Sequence, residues 1–264
     1  MPPIAQNSTR QSLFLQCRVV HAMLMRELIT RFGRENLGVL WLVFEPMLFT
    51  LGVVALWSLG GMHGGARLPI VAFAVTGYST ILLWRNTTNL CATAIQDNKQ
   101  LLFHRNVRPV DAFIARIILE TSGATGSFIF LSAIFLYAGW MAPPVDLMEV
   151  MTGWLLLVWF AGALGMTIGS ASIFSHVVTR IWHPVSYFML PFSGALVMVE
   201  WAPPPLRKVL LLFPMVHGTE MIREGWFGNA VVAHYDVVYM SEICLGLTLL
   251  ALGLQFKASR SLEM

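Results

Sequence analysis

The chain has 264 residues, 56% of them hydrophobic and 12% charged, with a net charge of +3 at pH 7 and a mean hydropathy of +0.68. A water-soluble domain carries about 25% charged residues, so this composition excludes a soluble globule and predicts an all-α protein of the bilayer. No Lys/Arg run with interleaved aromatics is present, which excludes a nucleic-acid partner, and Cys17, Cys91 and Cys244 have neither metal-ligand spacing nor the even count of a disulfide framework.

Residues 1–36 read as a segment apart from a membrane part at 37–264. Leu13, Cys17, Val20, Leu24 and Leu28 recur at helical spacing, while Gln16, Arg18, Glu27 and Arg31 lie off that stripe. The pattern predicts an amphipathic helix lying in the membrane interface; a plain cytoplasmic helix packed on protein fits the same residues. No cleavable signal is expected, because the longest clean apolar run, residues 22–25, is far below the ~7–15 residues of a signal core. A bilayer-crossing helix needs about 20 mostly apolar residues. That criterion predicts six spans, at 37–59, 68–90, 112–140, 148–173, 184–201 and 237–256. Between the last two, Pro203, Pro204 and Pro205 break any helix, and a short apolar run ends at Pro214. Residues 203–233 therefore read as a re-entrant or interfacial hairpin on the outer face before the last span, with an ordinary periplasmic loop carrying one surface helix as the alternative. Arg10, Arg18, Arg26, Arg31 and Arg34 precede the first span. Lys99, Arg105 and Arg108 follow the second, Arg180 the fourth, and Lys257 and Arg260 the sixth. Only Arg67, Arg207, Lys208 and Arg223 fall on the other side, which puts both termini in the cytoplasm.

No phosphate-binding G-x-x-x-x-G-K-[ST], no H-E-x-x-H and no G-x-S-x-G motif occurs, and no catalytic or metal-ligating residue is nominated. The strongest positive signal is charge inside the membrane: Glu45, Arg85, Arg116 and Glu120 all fall within expected spans. Such charges face a bundle interior or a wet cavity. They form either a charged ring lining a substrate conduit or structural ion pairs between helices; Arg116 and Glu120 are spaced to pair on one helix, and Glu45 and Glu120 are the expected partners of Arg85. The loop at 94–109 reads as a short polar–apolar helix stopped by Pro109. Its Leu101, Leu102 and Phe103 fit anchoring on the membrane or docking on another protein.

In chain order, Arg26-Glu27-Leu28-Ile29-Thr30-Arg31-Phe32, Leu37-Gly38-Val39-Leu40-Trp41 and Glu45-Pro46 resemble the entry to the first span of type-2 ABC exporter permeases. Gly77-Tyr78, Trp84-Arg85-Asn86, the run from Asn98 to Val107, Phe213-Pro214-Met215-Val216-His217 and Arg223-Glu224-Gly225-Trp226-Phe227-Gly228 resemble the capsular polysaccharide export branch. The resemblance covers nearly the whole chain. It implies a permease, not an enzyme, that forms a homodimer in the bacterial inner membrane and carries no cofactor of its own. ATP and magnesium would sit on a separate ATP-binding subunit present in two copies. The cargo would be a lipid-anchored capsular polysaccharide, handed to a periplasmic co-polymerase. Asp97, Asn98, Lys99 and Gln100 would couple to the ATPase, and Pro214, His217, Arg223 and Trp226 would belong to the re-entrant outer gate. Export of O-antigen, teichoic acid or another glycolipid keeps the same architecture with other cargo. An intramembrane transferase is the reading from another class, but it needs clustered carboxylates or histidines on one face.

Overall fold

The computed structural model of the protein describes residues 9–32, 38–59, 68–99 and 107–262, and all the regular structure among them is helical. Four helices are long and apolar enough to cross a bilayer, over Leu40–Leu59, Pro109–Tyr137, Leu147–Phe174 and Val237–Ala258. They lie in α2 (Gly38–Leu59), α4 (Pro109–Tyr137), α5 (Leu147–Phe174) and α9 (Val237–Leu262), close to four of the expected stretches.

The expectation of six spans is therefore corrected to four among the described residues. The expected second span is α3 (Ile70–Asp97), which is 28 residues long. Its middle carries Thr76, Ser79, Thr80, Arg85, Asn86, Thr87, Thr88 and Asn89, too polar for a lipid-facing helix. Most of α3 is instead buried in protein. Its hydroxyls turn back on their own helix: Thr76 donates to the Ala72 carbonyl at 2.8 Å, Thr80 to Gly77 at 2.6 Å and Thr87 to Leu83 at 2.6 Å, which satisfies them without water. The expected fifth span is not one helix. α6 (His176–Phe188) has 13 residues, roughly 20 Å at a rise of ~1.5 Å per residue. It starts before Pro184 because the Ser175 hydroxyl caps it, accepting from the Val177 amide at 3.3 Å. After Phe188 the chain goes into turns, one of them at Gly194 with φ +72°, where glycine is favoured.

The two other parts of the expected architecture are also corrected. The N-terminal helix is present as α1 (Thr9–Phe32), but it is not amphipathic. Phe14, Leu15, Met25 and Ile29 are exposed, while Met23 is buried with Val19, Val20 and Leu24 against Ala112 and Ala115 of α4. Apolar residues lie all round it, and one side packs on protein. At 203–233 the structure has α7 (Pro204–Leu210), α8 (Pro214–Phe227) and a 3₁₀ turn at Gly228–Ala230, with nothing that marks a re-entrant hairpin. α8 buries His217, Thr219, Glu220 and Arg223, and it packs on α5 and α9. These charged and polar groups are held by protein partners rather than presented to lipid.

α5 lies at the centre, against α3, α8 and α9. Its small residues permit close approach: a side chain at Gly165 would meet Cys91 of α3, and one at Gly169 would meet Phe113 of α4 and the Cys91 carbonyl. One end of the bundle gathers α1, the end of α3, the start of α4 and the α5–α6 junction, where Gln96 Nε2 and His176 Nδ1 are 2.9 Å apart. Lys257, 5.7 Å above the Phe174 ring, brings the last turns of α9 to that end. At the opposite end the turn between α4 and α5 meets α8: the Asp146 amide donates to the Gly225 carbonyl at 2.8 Å and Trp226 Nε1 to the Ala142 carbonyl at 3.0 Å.

Candidate functional site

Three polar centres are built on this frame. The first surrounds Arg85. Its guanidinium lies 4.1 Å from the centroid of the Tyr187 ring, which α6 supplies. Such cation–π contacts contribute about 0.5–2 kcal/mol. Among the described residues no carboxylate pairs with it, and its Nε is buried with no hydrogen-bond partner. One turn further along α3, the Asn89 Oδ1 is buried and unpartnered as well. Of the expected partners, Glu45 opens onto a shallow recess of about 410 Å³ walled by Trp41, Leu48 and Phe49 of its own helix, and Glu120 is buried on α4. The structure does not join Arg85 and Glu45 as an ion pair.

The second centre is at the α1 end. Arg116 is 4% exposed and pairs with Glu27 of α1 at 2.9 Å and with Asp97 of α3 at 2.8 Å. It also donates to the Thr93 hydroxyl at 2.9 Å and to the Leu90 carbonyl. Two neighbouring contacts join the same elements. Arg26 donates to the Asn98 Oδ1 at 2.7 Å, and Gln16 donates to Asp111. Asp111 also accepts from the Arg108 amide at 2.8 Å, closing the first turn of α4, which begins with Pro109 at a position where the missing N–H costs nothing. Lys99 is exposed beside the buried Asn98; Gln100 lies outside the described residues. Glu27 was missed by sequence reasoning. Its position off the apolar stripe was the available signal, but nothing in the spacing pointed to Arg116.

The third centre is α8. His217 makes two backbone contacts: the Asp236 amide donates to Nδ1 at 2.8 Å, and Nε2 faces the Leu211 carbonyl at 3.0 Å. An amide only donates and a carbonyl only accepts, so the ring is the neutral tautomer with its proton on Nε2. Burial lowers its pKa, opposed by the Leu211 carbonyl and by Asp236. Arg223 is fully buried, donates to the Gly194 and Ala195 carbonyls, and stacks 3.8 Å from the Phe73 centroid. Burial lowers its pKa to about 10, so it remains a cation at neutral pH. Trp201 stacks on the same Phe73 ring at 5.1 Å. Glu220 accepts the Val199 and His234 amides, both at 3.2 Å, and burial raises its pKa against the pull of Arg223. Glu200 is held below the usual carboxylate range by the His234 hydrogen bond, with Arg207 adding to it against desolvation. Pro214, His217, Arg223 and Trp226 thus share one helix, and three of them fasten it to separate segments.

The larger cavity, about 600 Å³, lies between α4 and α5 and is lined mostly by carbon, including Phe128, Met151, Trp154 and Trp226. Among the described residues no group of three His, Cys, Asp or Glu is placed to hold a metal ion. The titratable groups that do meet are ion pairs and helix ties, an arrangement suited to holding helices in register.

The family model described as "ABC-2 type transporter" matches residues 18–227. The chain belongs to the ABC-2 type transporter family. The capsule polysaccharide export inner-membrane protein CtrC of Neisseria meningitidis serogroup B is 40% identical over 263 residues, covering 100% of this chain and 99% of the relative. The capsule polysaccharide export inner-membrane protein BexB of Haemophilus influenzae is 38% identical over 98% of this chain and 97% of its own. The polysialic acid transport protein KpsM of Escherichia coli is 26% identical over 91% and 95%. Membership makes the chain a multi-pass permease subunit, a transporter component rather than an enzyme, homologous to capsule polysaccharide export proteins.

Proposed function

We propose that this chain is the transmembrane subunit of an ATP-driven exporter in a bacterial inner membrane, moving lipid-anchored capsular polysaccharide from the cytoplasm to the periplasm. The observation that carries the proposal is the end-to-end likeness to CtrC at 40% identity. On this reading the permease works as a homodimer with two copies of an ATP-binding subunit, which holds the ATP and magnesium, and passes the polymer to a periplasmic co-polymerase. The α1 end faces the cytoplasm. Arg18, Arg26, Lys99, Arg108 and Lys257 cluster at that end, as the positive-inside tendency asks. Asp97, Asn98 and Lys99, together with Gln100, dock the ATPase; the α8 end, with Pro214, His217, Arg223 and Trp226, forms the outer gate. An impermeant thiol reagent added outside spheroplasts tests the orientation: it should label a cysteine at Arg207 and spare one at Lys257. The reverse pattern contradicts it.

Of the four charged residues singled out for the conduit, Arg85 has the best claim to touch the cargo, because its guanidinium is held by a ring and, among the described residues, by no carboxylate. Arg116 is engaged with Glu27 and Asp97, and Glu45 and Glu120 serve as the carboxylates whose neutralisation tests the assignment. The deciding experiment is purification of the permease with its ATPase, followed by glycan and lipid analysis of what accompanies it. Lipid-linked capsular polymer supports the reading. O-antigen, teichoic acid or another glycolipid would assign a different cargo to the same machine.

A further inference from the structure

We infer that α1 is the strut that positions the ATPase-docking residues, with Arg116 as its fastening. The inference rests on the proposal that Asp97, Asn98 and Lys99 dock the ATP-binding subunit. Residues 98–99 and 107–108 are the described ends of the stretch that separates α3 from α4, and α1 is tied beside both. At the α3 edge, Glu27 meets Arg116, which in turn holds Asp97, and Arg26 donates to Asn98. Asn98 is fixed from its own helix too, its Nδ2 donating to the Ala94 carbonyl at 2.9 Å. At the α4 edge, Gln16 donates to Asp111, whose other oxygen caps Arg108. Gln16 and Arg26 are ten residues apart on α1, a separation of roughly 15 Å along a helix axis. The contacts are thus two separated fastenings, and two separated fastenings resist rotation as well as translation.

Arg116 suits this task because its guanidinium reaches several acceptors in one plane. Nη2 reaches both carboxylates, and Nη1 reaches the Thr93 hydroxyl and the Leu90 carbonyl. α1 is therefore locked through Arg116 to the last two turns of α3 and to α4 at once. A displacement imposed at Asp97–Lys99 by a bound ATPase passes to α1 and α4 together instead of bending the end of α3. Arg116 is a positioning residue in this account: it acts through Asp97 and touches neither ATP nor cargo.

The test uses the full permease purified with its own ATP-binding subunit and reconstituted in vesicles containing its lipid-linked polymer. Bound ATPase subunit, ATP hydrolysis and polymer moved per ATP are measured for three variants. Glu27→Gln, which keeps the shape and removes the charge, and Arg116→Lys, which cannot reach all four acceptors, should retain the ATPase and hydrolyse ATP at close to the normal rate. Polymer moved per ATP should fall about tenfold in Glu27→Gln, the weight of one charge-assisted hydrogen bond, and should fall further in Arg116→Lys. Unchanged polymer per ATP in both variants overturns the inference. A parallel fall in bound ATPase, hydrolysis and export overturns it too, since that marks a merely structural tie. The third variant, Lys99→Trp, should lose the ATPase. If it binds and stimulates the ATPase normally, the docking reading fails and the strut falls with it, a result distinct from failure of the strut alone.

Discussion

Arg85 and Arg223 are both guanidiniums laid on aromatic rings, yet their surroundings differ. Arg223 has two carbonyl acceptors, Phe73 beneath it and Glu220 near it, all inside protein. Removing one partner of such a buried charged group costs about 3–5 kcal/mol, so Arg223→Leu is expected to lower protein yield. Arg85 has Tyr187 and an unpartnered Nε. Arg85→Ala should assemble with the ATPase at normal levels while export falls about tenfold, the size of a lost charge-assisted contact. Arg85→Lys should recover part of it, keeping charge without the planar fork. Poor folding of Arg85→Ala, rescued by neutralising Glu45 or Glu120, would make Arg85 a structural tie. His217 gives a pH-dependent expectation. Its two contacts use the neutral ring, and burial lowers its pKa. A lowered histidine pKa means stability that is present above the unfolded value of about 6.5 and is lost as pH falls through the folded value. Thermal melts in detergent should therefore drop between pH 7.5 and pH 5.5, and His217→Gln, which keeps one donor and one acceptor, should flatten that dependence. The charges themselves were legible in the sequence, because an ionisable residue in an apolar stretch stands out. Their partners were not: spacing fixes contacts within one helix, whereas Glu27–Arg116 and Arg85–Tyr187 depend on how separate helices are rotated against each other.

Glycines decide how closely the helices approach. A Cβ at Gly225 of α8 would sit 2.8 Å from both the Asp146 carbonyl oxygen and the Val150 amide nitrogen. Both are backbone atoms at the start of α5, where the Asp146 side chain caps the helix by accepting from Glu149 at 3.1 Å. Neither can move cheaply, so Gly225→Ala should destabilise the protein by about 1–3 kcal/mol, as overpacking does. A lowered melting temperature in detergent checks it; an unchanged one would mean that α8 can shift away from α5. The element boundaries show where sequence reasoning holds and where it fails. The stretches 37–59 and 148–173 match α2 and α5 within a residue, because each is a predominantly apolar run long enough to form a bilayer-crossing helix. The stretch 184–201 begins at Pro184, in the middle of α6 rather than at its start. The actual start is the Ser175 cap, and proline is tolerated in the helix that follows. α3 failed for a different reason: its apolar residues averaged out a polar middle that only a protein sheath can accommodate.

For the whole molecule, apolar helices form the frame and polar residues concentrate at defined places in it. The α1 end holds the Arg116 knot, the α8 end holds Glu220 and Arg223, and Arg85 lies on α3 against α6. The membrane class, the α-helical architecture and the permease family were all readable from composition and motif order. The number of membrane-crossing helices was not, since length and mean apolarity do not distinguish a helix facing lipid from one enclosed by other helices. The central claim is that this chain moves capsular polymer when a partner hydrolyses ATP. Inside-out vesicles carrying the permease and its ATPase, loaded on their outer face with lipid-linked capsular polymer, test it most directly. ATP should drive the polymer into a space protected from an added glycan-degrading enzyme, and Arg85→Ala should reduce that protection. Polymer that stays fully degradable in the presence of ATP, with the complex intact and hydrolysing, would contradict the account.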